Sequence, residues 1–149
     1  AQYYGLTKNG RKIKRWKLED KVMENSLMKA SHVNHPSNLW VRKSKTNYKW
    51  IYSLWIKLLA EYTHRYGKEH ACEGYINFLK DLPTNIPHND FIDPPQCMPE
   101  ECKQDDTVFA YQTYYIVEKS GFATWKSRVV PEWFNAEREL LGLHGPANA

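Results

Sequence analysis

Between Asn47 and Gly67, aromatic and apolar residues return every three or four positions: Tyr48, Ile51, Tyr52, Trp55, Leu58, Leu59, Tyr62 and Tyr66. That recurrence matches the 3.6-residue turn of an α-helix and no strand period. Thr46 or Asn47 is the expected N-cap, and Gly67 suits the left-handed position that closes a helix. Lys49, Lys57, Glu61, His64 and Lys68 form the opposite face. Trp50 and Leu54 widen the apolar stripe, so the helix must be covered on more than one side. A long helix of this kind needs other elements packed around it.

Those elements can be read in turn. Asn9-Gly10 is a strong hairpin signal, since both central positions of a type I′ turn take positive φ. With Tyr3, Tyr4, Ile13 and Trp16 on its flanks, a β-hairpin is expected over residues 3–17. The polar run 17–31 reads as loop or a weak helix over 22–29. Pro36 suits a first helical turn and predicts a short helix over 36–44. A further helix is expected over 69–80, with Tyr75, Ile76 and Leu79 inward. Five prolines between Pro83 and Pro99 then predict a long irregular loop, of the kind that is often functional or mobile. Asp105 or Asp106 would cap a helix over 107–120, and Pro131 would open a last one over 131–141. The expectation is a mostly α fold: a single helical domain of 149 residues. It has an N-terminal β-hairpin (1–18), a helical core (32–141) and a flexible tail (142–149).

Aromatic residues make up 14% of the chain, enough to bury a core, so disorder throughout is not expected despite a mean hydropathy of −0.72. No apolar run is long enough for a membrane helix and no apolar signal-peptide core is visible, so no membrane partner is expected. Cys72, Cys97 and Cys102 make an odd count, which fits reduced thiols and a cytoplasmic setting. The net charge of +4 is modest, but its distribution is not. Lys8, Arg11, Lys12, Lys14, Arg15 and Lys17 all precede the first acid, Glu19. Such a field attracts phosphate; a solvated, self-repelling arm is the plainer reading.

The densest chemistry lies at the end of the long helix, from Glu61 to His70. Glu61 and His64 are three apart and share a helical face, either as an exposed ion pair or with Glu61 holding His64 as a general base. Glu-x-x-His is half of a di-iron carboxylate site, but no second pair exists. Cys97-x4-Cys102 lacks the spacing of a zinc ribbon. No metal and no cofactor is therefore expected, and single scattered glycines offer no phosphate-binding loop. His32 and His35 bracket Asn34 before the Pro36 helix. They are either part of an anion site with Arg42 or local turn chemistry. Tyr111, Tyr114, Tyr115, Phe122 and Trp125 lie near Lys119 and Lys126, an interleaving that suits base stacking, although most helix-spaced aromatics are core.

Several segments in combination resemble a group of small bacteriophage and bacterial proteins: His32-x-Asn34-His35-Pro36, Trp40-x-Arg42, Asn47-Tyr48-x-Trp50, Glu61-Tyr62-x-x-Arg65-Tyr66-Gly67-Lys68-x-His70, Met98-Pro99, Tyr111-x-x-Tyr114-Tyr115-x-x-Glu118-Lys119, Phe122-Ala123-Thr124-Trp125-Lys126 and Pro131-x-Trp133. The match spans roughly residues 32–134. The Asn34-His35-Pro36 element before a long helix is also distantly similar to the pyrimidine-dimer DNA glycosylases. Those are small helical enzymes that use an N-terminal amine as nucleophile and an active-site glutamate; the segment carrying these groups has no counterpart here. The resemblance implies a phage-type DNA-binding protein in the bacterial cytoplasm, with repair or base-modifying activity of glycosylase or endonuclease type. On that reading Lys12, Lys14, Arg15, Arg42, Arg65 and Lys126 contact phosphates, and Glu61, His64, His35 and His70 lie nearest the chemistry. The alternative is a non-enzymatic interaction or virion-associated protein whose histidines are structural.

Overall fold

In the computed structural model, which describes residues 1–142, the long helix runs from Lys45 to Tyr66. Its N-cap is Ser44, two or three residues earlier than the sequence suggests, with the Ser44 hydroxyl accepting from the Thr46 N–H at 3.0 Å. The reason is that Asn47 serves the interior instead. It is fully buried, donates from Nδ2 to the Trp40 carbonyl at 3.0 Å and accepts the Ile92 N–H on Oδ1 at 3.0 Å. Gly67 closes the helix in the left-handed region at φ +64°, as its sequence position predicts.

The fold is mostly α with an N-terminal β-hairpin. In chain order the described elements are β1 (Gln2–Leu6), β2 (Lys12–Trp16), α1 (Lys21–Ser26), α2 (Pro36–Val41), α3 (Lys45–Tyr66) and a 3₁₀ turn (Ala71–Tyr75) that runs into α4 (Ile76–Leu79). A 3₁₀ turn at Glu100–Cys102, α5 (Thr107–Tyr114), a π-helical turn (Tyr115–Lys119) and α6 (Glu132–Leu140) complete the set. The chain forms two compact units, Ala1–Ile92 and Asp93 onward. The expected flexible tail lies, beyond Gly142, outside the described residues.

The hairpin departs from the expected turn. Only Gly10 takes positive φ (+73°); Asn9 does not. The Gly10 N–H reaches the Thr7 carbonyl at 3.0 Å and the Thr7 N–H reaches the Arg11 carbonyl at 2.9 Å. This is a three-residue loop, a type I turn followed by a left-handed glycine. The register pairs Tyr4 with Lys14 and Leu6 with Lys12.

In the first unit the proline-rich segment is pinned rather than loose as far as Ile92. Ser44 and Thr46 hydroxyls both donate to the Asn89 carbonyl, at 2.6 and 2.9 Å, and the Lys45 N–H donates to the Pro87 carbonyl at 2.9 Å. Trp40 Nε1 donates to the Ile92 carbonyl at 2.7 Å. Trp40, Trp50 and Phe91 meet as a cluster with ring centroids 5.8–6.0 Å apart. Buried Trp40, Leu59 and Ile86 supply the apolar core, with Ser44 and Asn47 as its satisfied polar members. The expected helix over 69–80 is interrupted: its first half is 3₁₀, and only one turn of α4 follows.

In the second unit the core is Cys102, Ala110, Ile116 and Phe134. Asp106 caps α5 by accepting the Phe109 N–H at 2.7 Å. Gln96 and Gln104 brace the preceding loop, Gln96 bonding both the carbonyl (2.5 Å) and the N–H (3.0 Å) of Gln104. Tyr111 donates to the Pro95 carbonyl at 2.7 Å, and its burial raises the phenol above the ordinary tyrosine range. Trp125 and Trp133 both pack against Phe134.

Candidate functional site

Two surfaces of the first unit collect residues with chemistry. The first is the hairpin. Strand alternation sends Gln2, Tyr4 and Leu6 of β1 to the same side as Lys12, Lys14 and Trp16 of β2, and all six are exposed. Tyr3, Gly5, Ile13 and Arg15 face the other way and are half-buried. Lys12 Nζ stands 4.6 Å from the Tyr4 ring centroid, and Lys17 Nζ stands 5.3 Å from that of Tyr3. Arg15 donates to the Ala30 carbonyl at 3.3 Å and tethers the hairpin to the segment before α2. Among the described residues, ion pairs join Arg65 to Glu61 and Lys103 to Glu100, and neither takes up a hairpin cation.

The second surface is a groove of about 350 Å³ along the last turns of α3, lined by Trp55, Leu58, Leu59, Glu61, Tyr62, Arg65, Tyr66 and His70. Arg65 Nε donates to Glu61 Oε1 at 2.7 Å. Both side chains retain roughly a quarter of their exposure, and the i,i+4 spacing makes the pair worth about 0.3–0.5 kcal/mol. His70 caps the 3₁₀ turn, its Nδ1 accepting the Cys72 N–H at 3.1 Å. That bond places the proton of the neutral ring on Nε2. The ring stands edge-on to Tyr62 with centroids 4.7 Å apart. Tyr66, expected in the core stripe, is 62% exposed and Leu58 is 64% exposed. Both form the groove wall instead of a buried seam.

The remaining predicted residues fall elsewhere. Glu61 is joined to Arg65, four positions on. At about 100° per residue, Tyr62 and Arg65 stand within about 40° of Leu58 around the helix, whereas His64 stands about 120° away, outside the groove lining. His35 is exposed and caps α2, its Nδ1 accepting the Ser37 N–H at 3.2 Å. His32, at φ +48°, accepts on its carbonyl from the His35 N–H and from Asn38 Nδ2. Local turn chemistry therefore accounts for this element, and the Ser37 N–H is already taken by an imidazole. Arg42 donates to the Val33 carbonyl at 2.8 Å, fastening the same turn.

Lys126 belongs to the second unit, exposed at φ +48°. In that unit Lys119 lies over the Tyr114 and Phe122 rings, at 5.1 and 5.7 Å. Among the described residues no three His, Cys, Asp or Glu side chains converge as a metal site would require. Burial, aided by the charges of Glu101 and Glu118, pushes the Cys102 thiol up. No described helix is long and apolar enough to cross a membrane.

The exposed aromatic face of the hairpin was not singled out from the sequence. The signal for it is the alternation of Tyr4 and Leu6 against Lys12, Lys14 and Trp16, which becomes readable only once the loop length is known. Comparison of the chain with protein-family models, with curated proteins and with solved structures finds no match.

Proposed function

We propose that the chain binds nucleic acid through its N-terminal hairpin, with DNA as the expected partner. The observation behind this reading is the group of cations from Lys8 to Lys17. Lys8, Arg11, Lys12, Lys14 and Lys17 are exposed, and no described carboxylate neutralises any of the hairpin's six. Cations held along a two-stranded ribbon present a regular array to phosphates and release the counterions condensed on them. If about four phosphates are neutralised on a duplex, affinity falls by about a hundredfold between about 50 and 200 mM salt. Fluorescence anisotropy of a labelled oligonucleotide measures this directly. Affinity flat across that range removes phosphate contact from the account.

A second reading, DNA repair or base modification of glycosylase or endonuclease type, has one observation in its favour. The groove brings Glu61, Arg65 and His70 together among aromatic walls. In this reading Glu61 is the acid-base group and Arg65, bonded to it, fixes its orientation. Incubation with duplex carrying damaged bases, followed by borohydride, tests for an imine intermediate, and Glu61→Gln should abolish any cleavage. Full cleavage by that variant takes Glu61 out of the mechanism. His35 and His64, which do not line the groove, are assigned no chemical step.

A further inference from the structure

We propose that the exposed face of the hairpin is a stacking platform for single-stranded DNA, with bases against Tyr4 and Trp16 and phosphates against Lys12 and Lys14. This deepens the hairpin-binding reading and rests on it. Phosphate attraction alone does not choose between single and double strands, so the choice must come from what else the face presents.

The face presents rings. Tyr4 is 56% exposed and Trp16 41% exposed, on the same side of the ribbon as the two lysines. Two large rings on one face, beside cations, offer flat apolar area on which another ring system can stack. A duplex shows a protein its base edges and phosphates, while the base faces are stacked away. An unpaired strand can lay a base on a ring without the unstacking cost that a duplex must meet. The register makes Trp16 the diagonal neighbour of Tyr4, since Tyr4 pairs with Lys14. Diagonal partners in an antiparallel pair stand about 7–8 Å apart. Rings that far apart across the face are separate platforms, and a flexible unstacked strand can set one base against each. Lys12 already lies over one face of Tyr4, which puts a cation beside the base on the other.

The same composition, aromatic with lysine, also occurs on hairpins that enter lipid. Here the tip is Lys8-Asn9-Gly10-Arg11, with two cations and no apolar residue, while Trp16 sits at the opposite end of the ribbon. A tip of that composition stays in water, so the observations favour a strand lying along the face.

The test compares a labelled 12-mer of thymidine with a duplex of equal length at fixed salt. The single strand is expected to bind at least ~10-fold more tightly. Tyr4→Leu with Trp16→Leu should weaken single-strand binding by ~10-fold or more while leaving duplex binding and the salt slope unchanged. Tyr4→Phe with Trp16→Phe keeps flat rings and should bind within ~3-fold of the parent. This separates lost stacking from a damaged hairpin. Lys12→Gln with Lys14→Gln should flatten the single-strand slope of log affinity against log salt by about 1.4. Equal affinity for both strands, or a leucine variant that binds thymidine normally, overturns the platform but leaves the basic-hairpin reading standing. Absence of binding to either strand overturns both. Preferential uptake by vesicles of phosphatidylcholine and phosphatidylserine, with no single-strand preference, overturns the platform in favour of a lipid surface.

Discussion

Replacing Asn47 with Ala tests the polar latch that holds the start of α3. Asn47 has no exposed surface, and its amide joins the Trp40 carbonyl to the Ile92 N–H. The two losses are unequal. The Trp40 carbonyl also accepts from the Lys43 N–H, so it keeps a partner and loses only a net ~0.5–1.5 kcal/mol. The Ile92 N–H has Asn47 Oδ1 as its acceptor and is left partly buried and unpaired, at about 1–2 kcal/mol. The expected destabilisation is about 2–3 kcal/mol, read as a lower urea midpoint with an unchanged slope in helix circular dichroism. Asn47→Asp sharpens the test. The introduced carboxylate keeps the Ile92 bond but turns an oxygen toward the Trp40 carbonyl, so its folded pKa is raised above the unfolded value near 4. Its proton is then held more tightly in the folded chain. Any stability from the protonated form is present below pH about 4 and is lost as pH rises through the folded value. This variant should fall below Asn47→Ala at pH 7 and recover toward it in acid. A loss under about 0.5 kcal/mol for Asn47→Ala, or no pH dependence of the Asp variant relative to the parent, would refute the latch.

Two other outcomes follow from a half-buried phenol and a buried thiol. Tyr48 donates to the Leu79 carbonyl at 2.7 Å, and burial, then the charges of Tyr52 and Asp81, raise its pKa. Its contribution to stability is fully present below the ordinary tyrosine value near 10 and is lost as pH rises through the folded value; Tyr48→Phe should cost about 1 kcal/mol at pH 7 and shrink that alkaline loss in urea titrations. Cys102 has no exposed surface whereas Cys97 is exposed, so a thiol reagent should label Cys97 first and Cys102 only on unfolding, as peptide mass mapping would show. Labelling of Cys102 at the rate of Cys97 in the native protein would contradict the packing of the second unit.

The long helix was legible because one period runs through it and Gly67 ends it. Its start was misread for a physical reason: an Asn near a helix N-terminus is commonly a cap, yet Asn47 is spent on partners at Trp40 and Ile92. Periodicity carries no information about pairings 45 residues apart. The hairpin was legible from Asn9-Gly10 and its turn was not, since the same dipeptide fits both a two-residue loop and the three-residue loop found. In the candidate site, Glu61, Arg65 and His70 line one groove, and His64 is not among its lining residues. An i,i+3 relation to Glu61 places His64 beside that residue and still outside the groove, because Glu61 sits at the groove's edge. Period alone predicts Tyr66 in the core, but near the end of a helix few neighbours remain to cover it.

The clasp between the start of α3 and residues 87–92 also bears on how the chain reaches this structure. Helices form from neighbours in sequence, and a chain rich in them usually folds fast. Here the bonds from Ser44, Thr46 and Asn47 reach partners 43 to 45 residues away. A loop of that length must close before any of them is gained, at an entropic cost the local helices cannot offset beforehand. Helix signal should therefore rise early in refolding and the Trp40–Trp50–Phe91 cluster should form late. Tryptophan fluorescence lagging circular dichroism in a stopped-flow trace is the expected signature, with α3 helical before its clasp closes.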